Sequence, residues 1–258
     1  MKDFVTDFWF MINGPGTIEE KSSKLRDAVS LIKDSTASGL FASDNLITWG
    51  KSLSFLEDSS FVSGMNSLLS RDRPNDAKVP ILGTIWRKYI VCWAAEHCKT
   101  IDGDFAELGC YAGDTARLVM DHLGFSLLDK TYWMYDMFES DGTISQKFSE
   151  HAAGFYERTL ERFADIPNVK IIKGIVPDSF SLGKPDKIAF LHIDMNNAPS
   201  ELAVLEHLYD RVEKNGIIMF DDYGYIHYRA QKDVADNFFK AHCKKVLELP
   251  TGQGMYIK

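Results

Sequence analysis

The sequence predicts an α/β fold: a doubly wound, mostly parallel sheet of seven strands with an antiparallel last strand, preceded by a helical N-terminal region. From Asp104 onward, short apolar runs of strand length alternate with amphipathic stretches of helical length, which is typical of helices wound around a parallel sheet. The last two apolar runs are separated by "TGQG", a glycine-bearing turn that indicates a reversed final strand. Before Asp104, apolar residues recur mainly at helical spacing.

Length and composition favour one main domain with a smaller cap. The chain has 258 residues, of which 45% are hydrophobic and 26% are charged, so it can bury one large core. The sequence contains no internal repeat and no low-complexity tract. The change of pattern near residue 100 predicts a helical N-terminal cap over 1–100 and a main domain over 101–258.

The elements of the cap are predicted from helical spacing and from helix-start residues. Thr17 is a candidate N-cap, with Glu20 three residues later. The segments "SDNLITWGKSLSFLED" and "SFVSGMNSLLS" are predicted to continue as short helices. The polar, proline-bearing stretch "SRDRPNDAKVP" predicts an exposed loop, and "ILGTIWRKYIVCWAAEHCKT" predicts a strongly apolar helix.

The main domain contains seven candidate strands and four candidate helices. The strands are predicted at 105–108, 133–135, 169–172, 188–193, 217–220, 246–249 and 255–257, and the helices at 114–123, 145–163, 200–213 and 228–244. In open sheets of this kind, ligands bind beyond the carboxyl ends of the strands. Residues that follow the strands are therefore the candidate functional residues.

Charge and cysteine content narrow the class of partner. A net charge of -8, with 29 basic residues that do not cluster, excludes a general nucleic-acid binder and favours a small-molecule substrate. The four cysteines show neither metal-type spacing nor a disulfide framework, which fits a reducing cytoplasm. The first apolar run is too short to span a membrane, and Asp3 and Asp7 do not fit a secretory signal. We expect a cytoplasmic protein without a membrane partner.

The first strand of the main domain ends in a glycine turn. The stretch "ELGCYAG" has the order E-x-G-x-x-x-G and leads into a helix start at Asp114. Glycine lets the backbone pass close to a ligand, and a helix start offers unpaired N–H groups. The alternative is a tight structural turn without a ligand. The candidate cofactor residues of this turn are Glu107, Gly109, Tyr111, Gly113 and Thr115.

Two further acids extend this candidate cofactor site. Asp136 ends the second strand, where an acidic side chain can accept a pair of ribose hydroxyls. A helix cap or an exposed loop acid is the alternative interpretation of Asp136. After the third strand, "GIVPDSF" supplies Gly174 and Asp178, which are weaker candidates for framing an adenine ring.

Three more carboxylates follow the fourth and fifth strands. "FLHID" places Asp194 at one strand end, and "IIMFDD" places Asp221 and Asp222 at the next. Adjacent strands lie about 4.8 Å apart, so these acids can converge on one cation. Hard oxygen donors favour Mg2+, with Ca2+ or Mn2+ as alternative occupants. Each aspartate alone is equally typical of a turn or a helix cap.

These motifs together resemble a known fold and family. The glycine turn, the acidic second strand end and the reversed last strand resemble the Rossmann-like class I S-adenosylmethionine-dependent methyltransferases. More narrowly, "GDFAELGCYAGDTARL" and "FLHIDMNNAPSELAVLEHLYDRVEKNGIIMFDDYG" resemble the macrocin O-methyltransferase (TylF-like) family, whose members methylate sugar hydroxyls in natural products. The resemblance covers roughly residues 85–258. It implies S-adenosylmethionine as cofactor, and it is compatible with a helical lid in the N-terminal third.

The resemblance also implies roles for individual residues. In the family the corresponding three acids are metal ligands, which assigns Asp194, Asp221 and Asp222 to a metal. Relatives commonly carry D-x-D after the fourth strand, the second acid acting as general base, whereas this chain has Asn196, which cannot accept a proton at neutral pH. We therefore expect His227 to be the base, with Asp194 or water as alternatives. His227 is equally compatible with an ordinary surface position.

The functional hypothesis is a cytoplasmic, Mg2+-assisted O-methyltransferase acting on a hydroxyl of a sugar or of a natural-product or surface-glycan precursor. One alternative keeps the cofactor but changes the acceptor to a catechol-like phenol or an amine. Another is a non-catalytic binding protein with a degenerate methyltransferase fold, which Asn196 keeps open. The expected partner is a sugar-containing small molecule, with no nucleic acid and no membrane, and a homo-oligomer is left open.

Overall fold

The structure is a computed structural model that describes residues 27, 40–71, 81–138 and 154–258. The chain divides into two compact units, Met1–Leu53 and Ser54–Lys258. The helix predicted from Thr17 lies outside the described residues except for Asp27, which is helical. No helix in the described part of the chain is long and apolar enough to cross a membrane.

The described part of the first unit is a β-hairpin, so the short helix predicted here is wrong. Strand β1 (Leu40–Ser43) pairs antiparallel with β2 (Leu46–Trp49). The two loop residues, Asp44 and Asn45, have φ of 51° and 59°. Asp and Asn tolerate positive φ better than most residues, and two such residues in a row form the tight turn that joins paired strands. This loop, and the β-branched and aromatic residues after it, outweigh the helical spacing.

The second unit contains six described α-helices and a seven-stranded sheet. Its helices are α1 (Ser59–Ser70), α2 (Ile85–Cys98), α3 (Asp114–Leu123), α4 (Phe155–Arg162), α5 (Ala198–Leu208) and α6 (Arg229–Ala241). Its strands are β3 (Asp104–Leu108), β4 (Tyr132–Asp136), β5 (Val169–Lys173), β6 (Ile188–Ile193), β7 (Val212–Phe220), β8 (Leu247–Glu248) and β9 (Gly254–Ile257).

The sheet has the predicted topology. Its strand order is β5-β4-β3-β6-β7-β9-β8, with β3 to β7 parallel to one another and β9 antiparallel to both β7 and β8. Strand β6 is buried along its whole length, as its continuous apolar run predicts. The parallel strands all end at one edge of the sheet, so the residues that follow them meet there.

Element boundaries differ from the predictions in several places. Helix α5 ends at Leu208, and the chain enters β7 at Val212, where a helix was predicted to 213. Val212 pairs with Ile188 on β6, so strand pairing takes over before the strongly apolar run begins. Of the helix predicted at 145–163, the described part is Phe155–Arg162, and residues 145–153 lie outside the described residues.

Helices α1 and α2 belong to the sheet unit, whereas the predicted boundary assigned them to the cap. Helix α1 is capped at its N-terminus by Asp58, whose side chain accepts hydrogen bonds from the N–H groups of Ser60 and Phe61, both at 3.0 Å. Gly64 allows α1 to approach α3 closely, because an added Cβ would lie 3.1 Å from a methyl group of Leu118. The apolar face of α2 is likewise buried. The lid role of the N-terminal region stays a prediction.

Candidate active site

A cavity of about 530 Å³ opens beyond the carboxyl ends of β3, β4, β6 and β7. This volume is in the range of small-molecule sites. One side of the cavity is lined by the turn after β3 and by the end of β4. The other side is lined by the residues that follow β6 and β7, together with side chains of α2. We call these the cofactor side and the acid side.

On the cofactor side, Gly109 joins the two sides of the cavity. Its φ is 86°, and an added Cβ would overlap the backbone carbonyl oxygen of Asp194 at the end of β6. Only glycine fits this position, because both the backbone conformation and the space exclude a side chain. Gly113 permits close core packing, since an added Cβ would meet Phe163 and Met134, and it does not line the cavity, so its cofactor role stays a prediction.

Asp136 lines the cavity and also shapes the glycine turn. Its carboxylate accepts hydrogen bonds from the N–H of Tyr111 at 2.7 Å and from the N–H of Phe138 at 3.0 Å. Both N–H donors belong to residues with positive φ, 47° for Tyr111 and 57° for Phe138. A carboxylate has further acceptor capacity beyond these two bonds. Asp136 therefore lines the cavity and has a structural role as well, and its contact with a ribose stays a prediction.

Of the other predicted cofactor residues, two line the cavity and one does not. Thr115 and Glu107 line the cavity, and the buried Glu107 accepts a hydrogen bond from the hydroxyl of Tyr132 at 3.0 Å. Asp178 is exposed at the start of a short 3-10 helix and does not line the cavity. Gly174 and the two residues after it, Ile175 and Val176, line the cavity in its place.

On the acid side, the three predicted aspartates come together around an arginine. Asp194 follows β6, and Asp221 and Asp222 follow β7. Arg87 of α2 donates from Nη2 to the backbone carbonyl of Asp221 at 2.7 Å and to Oδ1 of Asp222 at 2.9 Å. The same nitrogen also contacts Oδ2 of Asp221. Gln253 donates from Nε2 to the remaining Asp221 oxygen, Oδ1, at 2.9 Å.

Burial and neighbouring charge shift the pKa values of this cluster in opposite directions. Burial favours neutral Asp221, but Arg87 and His192 outweigh it and hold the pKa of Asp221 below its usual range. Burial, Asp221 and Asp222 together raise the pKa of Asp194 well above its usual range. Burial opposes the charge on Arg87, but the three aspartates outweigh it and raise the pKa of Arg87.

His192 lies under the cluster, inside the sheet. Its ring nitrogens are 3.5 Å from Oε1 of Glu107 and 3.6 Å from Oδ1 of Asp221, which are ion-pair distances rather than those of strong hydrogen bonds. Burial lowers the pKa of His192, but the two carboxylates outweigh burial and raise it to about 10. His192 thus lies between a carboxylate of the cofactor side and a carboxylate of the acid side.

The carboxylates gather as predicted, but their arrangement does not fit a bound metal ion. Nη2 of Arg87 already contacts one carboxylate oxygen of Asp221 and one of Asp222. Within the described residues, no group of three or more His, Cys, Asp or Glu side chains has the geometry of a metal site. The predicted Mg2+, Ca2+ or Mn2+ ligands Asp194, Asp221 and Asp222 therefore stay a prediction that this arrangement does not support.

The structure does not bring the predicted base into the cavity. His227 is exposed in a 3-10 helix, Ile226–Tyr228, and is absent from the lining, where its neighbour Tyr228 appears. Asp194 does line the cavity, and no group in the described part of the chain donates a hydrogen bond to its carboxylate. Asn196 lines it too, with φ of 52° and an Oδ1 atom that is buried without a hydrogen-bond partner among the described residues.

Sequence reasoning missed the residues that arrive from distant parts of the chain. Arg87 and Lys88 line the cavity from α2, and Lys88 lies 3.4 Å from the hydroxyl of Thr115. Their signal was two adjacent basic residues inside the apolar stretch "IWRKYIVCWAA". Gln253, within the turn "TGQG", is fully buried, which a turn position alone does not indicate.

The sheet order, the glycine turn after β3 and a cavity beyond the strand ends define a Rossmann-like methyltransferase. A family model described as Macrocin-O-methyltransferase (TylF) matches residues 64–246, and the chain therefore belongs to this family. It is an S-adenosylmethionine-dependent O-methyltransferase. No protein of curated function matches the sequence significantly.

Solved structures share this fold. The O-methyltransferase NovP superimposes with a TM-score of 0.60 at 17% identity, over 80% of this chain and 98% of that chain. CalS11, a calicheamicin methyltransferase, superimposes with a TM-score of 0.54 at 12% identity, over 86% of this chain and 99% of that chain. At these identities the likeness shows the fold alone.

The cofactor side fits S-adenosylmethionine. The glycine turn leaves room beneath the start of α3, and Asp136 places a carboxylate beside it for ribose hydroxyls. Met137, Ile175 and Val176 add apolar lining that suits an adenine ring. The donors and the apolar surface that such a molecule needs are thus present in one cavity.

Proposed function

We propose that this enzyme methylates a hydroxyl of a sugar, or of a natural-product or surface-glycan precursor. The observation that carries the proposal is the shared cavity, in which the cofactor side lies directly against Asp194 and Asn196. Gly109 makes this possible because its backbone touches that of Asp194. Structural neighbours support the acceptor class, since one structure of CalS11 is described as a TDP-rhamnose 3'-O-methyltransferase and superimposes with a TM-score of 0.50 at 14% identity over 80% of this chain and 95% of that chain.

The chemistry requires an acceptor oxygen that is oriented and relieved of its proton. When bound, S-adenosylmethionine supplies a methyl group whose bond to sulfur breaks with the electron pair left on sulfur, as the acceptor oxygen bonds to the methyl carbon. The chain must then accept one proton. Asp194 is the group we assign to this task, because its carboxylate lines the cavity and its pKa lies above that of an ordinary aspartate.

Asn196 has a complementary part in the proposal. Its buried Oδ1 has no hydrogen-bond partner among the described residues, so it can accept a hydrogen bond from an acceptor hydroxyl and orient that group. It cannot take the proton. Orientation by Asn196 and proton acceptance by Asp194 are thus separate tasks carried by two residues of one turn.

Magnesium assistance is a finer part of the sequence-based hypothesis and stays a prediction. It assigns Mg2+ to Asp194, Asp221 and Asp222, two of which are bonded to Arg87. A metal would have to displace the guanidinium from both carboxylates. We derive no step through a metal, and a cytoplasmic location likewise stays a prediction from composition.

The test combines binding with transfer. Calorimetric titration with S-adenosylhomocysteine should show one site per chain. Radiolabelled methyl groups from S-adenosylmethionine should then move to nucleotide-activated deoxysugars in a panel that also contains a catechol and a primary amine. Transfer to the catechol or the amine but to no sugar would overturn the proposed acceptor class. A folded protein that binds no S-adenosylhomocysteine would favour the non-catalytic alternative.

A further inference from the structure

The acid side of the cavity concentrates negative charge that has to be compensated. Asp221 and Asp222 are adjacent in sequence, and Asp194 lines the same cavity. Neighbouring buried carboxylates cannot all stay ionised unless a positive charge lies among them. In enzymes that use such clusters for a metal, the ion supplies that charge.

Here a side chain supplies it. The Arg87 side chain is only 11% exposed, and its Nη2 atom bonds to the carbonyl of Asp221 as well as to the carboxylates of Asp221 and Asp222. The bond to the Asp221 carbonyl also fixes the position of the guanidinium, because Asp221 directly follows β7 and its own N–H donates to the backbone carbonyl of Ile193 on β6. The Arg87 guanidinium is therefore a fixed component of the site.

Two further groups support this arrangement. The ring of Tyr225 lies 5.0 Å from the Arg87 guanidinium carbon, at stacking distance. Gln253 donates both to Oδ1 of Asp221 at 2.9 Å and to the backbone carbonyl of Arg87 at 3.4 Å, which ties α2 to the end of β7. Burial, stacking and the Gln253 hydrogen bonds all oppose release of Arg87 from the carboxylates.

We propose that Arg87 takes the place of a metal ion in this site, so that the enzyme works without a bound divalent cation. The inference deepens the proposed methyltransferase function and rests on it for its catalytic meaning. Arg87 is a positioning residue, which fixes Asp221 and Asp222 and offsets their charge next to Asp194. A guanidinium remains protonated and cannot diffuse away, so the geometry of the acid side does not depend on metal supply.

Metal binding tests the proposal directly. The full-length protein is freed of metals with a chelator and titrated with Mn2+, and bound Mn2+ is followed by electron paramagnetic resonance. We expect the unaltered protein to bind Mn2+ no more tightly than about 1 mM, the weak end of protein sites for divalent ions. Arg87→Met keeps a long side chain but removes the charge, so it frees the carboxylates and should tighten Mn2+ binding at least about tenfold.

Matched variants locate any Mn2+ that is gained. Arg229→Met makes the same change at an exposed arginine that pairs with Asp233, and it should gain no site. Asp221→Asn added to Arg87→Met should remove the gained binding. Titration with S-adenosylhomocysteine shows that each variant is folded. If Arg87→Met does not fold, the titration of the unaltered protein and its chelator sensitivity decide the question alone.

Several outcomes would overturn the proposal. One is tight Mn2+ binding by the unaltered protein that is lost in Asp221→Asn. Another is methyl transfer that stops on chelation and returns with Mg2+. A third is a folded Arg87→Met protein that gains no Mn2+. These readouts are independent of the acceptor, because metal binding needs no methyl transfer. Failure to methylate any sugar would overturn the proposed acceptor class and leave the result for Arg87 intact.

Discussion

The two sides of the cavity are built by different means. On the cofactor side, the shape of the cavity wall is set mainly by backbone conformation. The turn after β3 contains residues of positive φ and a glycine that no other residue can replace. On the acid side, charged side chains do the work, and they come from three separate parts of the chain. Arg87 and Asp221 are 134 positions apart, and Gln253 lies another 32 positions beyond Asp221.

The two sides are therefore sensitive to different substitutions. On the cofactor side, a substitution that adds a side chain without space, or that disfavours the observed φ, should destabilise the folded protein. A side made of compensated charges fails when one partner is removed, because the remaining charge is left buried and unpaired. Substitutions on the two sides should therefore differ in their effects on stability, cofactor affinity and kcat.

Gly109→Ala changes the point of contact between the two sides and should have the largest effect, a loss of stability. The added Cβ overlaps the Asp194 carbonyl, at a φ that favours glycine, so we expect destabilisation of more than about 3 kcal/mol. Gly124→Ala is the control, because Gly124 has φ of 60° but nothing within 4 Å, and it should cost only about 1 kcal/mol. Denaturant unfolding measures both. Equal losses would mean that the contact between the two sides does not matter.

Asp194→Asn should strongly slow methyl transfer without changing cofactor binding. Loss of the proton acceptor should lower kcat by about 100-fold or more, with affinity for S-adenosylhomocysteine nearly unchanged. His227→Asn provides the comparison, since His227 is exposed and outside the lining, and its kcat should change little. A large fall in kcat for His227→Asn, with Asp194→Asn active, would restore the base predicted from the sequence.

Asp136→Asn should affect the cofactor side alone. It weakens charged hydrogen bonds to the turn and to the ribose, so the affinity for S-adenosylhomocysteine should fall about tenfold or more. At saturating cofactor, kcat should be largely retained. Asp178→Asn, at an exposed position outside the cavity, is the matched control and should bind normally. Equal affinities of the two variants for S-adenosylhomocysteine in calorimetry would show that Asp136 does not contribute to cofactor binding.

The His192 bridge between the two sides should appear in the pH dependence of stability. The pKa of His192 is raised from 6.5 to about 10, so its stabilising charge is fully present below pH 6.5 and is lost as the pH rises towards 10. The melting temperature of the unaltered protein should therefore approach that of His192→Gln over this range, by about 2–4 °C for each kcal/mol lost. A constant difference between the two proteins would argue against a charged His192.

Glu201, on α5 beside the acid side, should give the smallest effect. Burial, and then the charge of Asp222, raises the pKa of Glu201 from 4.5 to about 8, so stability is lost as the pH rises from 4.5 through 8. Glu201→Gln removes this loss and should raise the melting temperature by about 1–3 °C at pH 8.5, with no gain at pH 4.5. Glu206→Gln, exposed on the same helix, should change nothing at either pH.

Much of the sheet was predictable because its information is local. The apolar run of β6 and the acids that follow β6 and β7 are read directly from short segments, and parallel strands bring such acids to one edge. The hairpin at 40–49 was missed because the preference of Asp44 and Asn45 for positive φ outweighed helical spacing. The unit boundary was missed because the burial of α1 and α2 depends on their packing partners.

The site was predictable only in part, for a related reason. Asp136, Gly109 and Asp194 lie where their strand positions place them, in the cavity wall. Asp178 and His227 are only a few residues beyond their strands, yet short 3-10 helices carry both away from the cavity. The direction of a side chain in a loop is set by the loop's own hydrogen bonds, which spacing in sequence does not reveal.

The mostly parallel sheet, the reversed last strand and the convergence of three aspartates could be predicted from the sequence alone, because hydrophobic period and strand-end chemistry are properties of short segments. What neutralises those aspartates depends on packing between distant elements. Helix α2 brings the guanidinium of Arg87 to the carboxylates of Asp221 and Asp222 after β7, and Gln253, in the turn before β9, donates to Asp221 and to the backbone carbonyl of Arg87. A charge on one element has no partner until packing brings another element against it, so a cluster that predicts a metal in sequence contains an arginine in the folded chain.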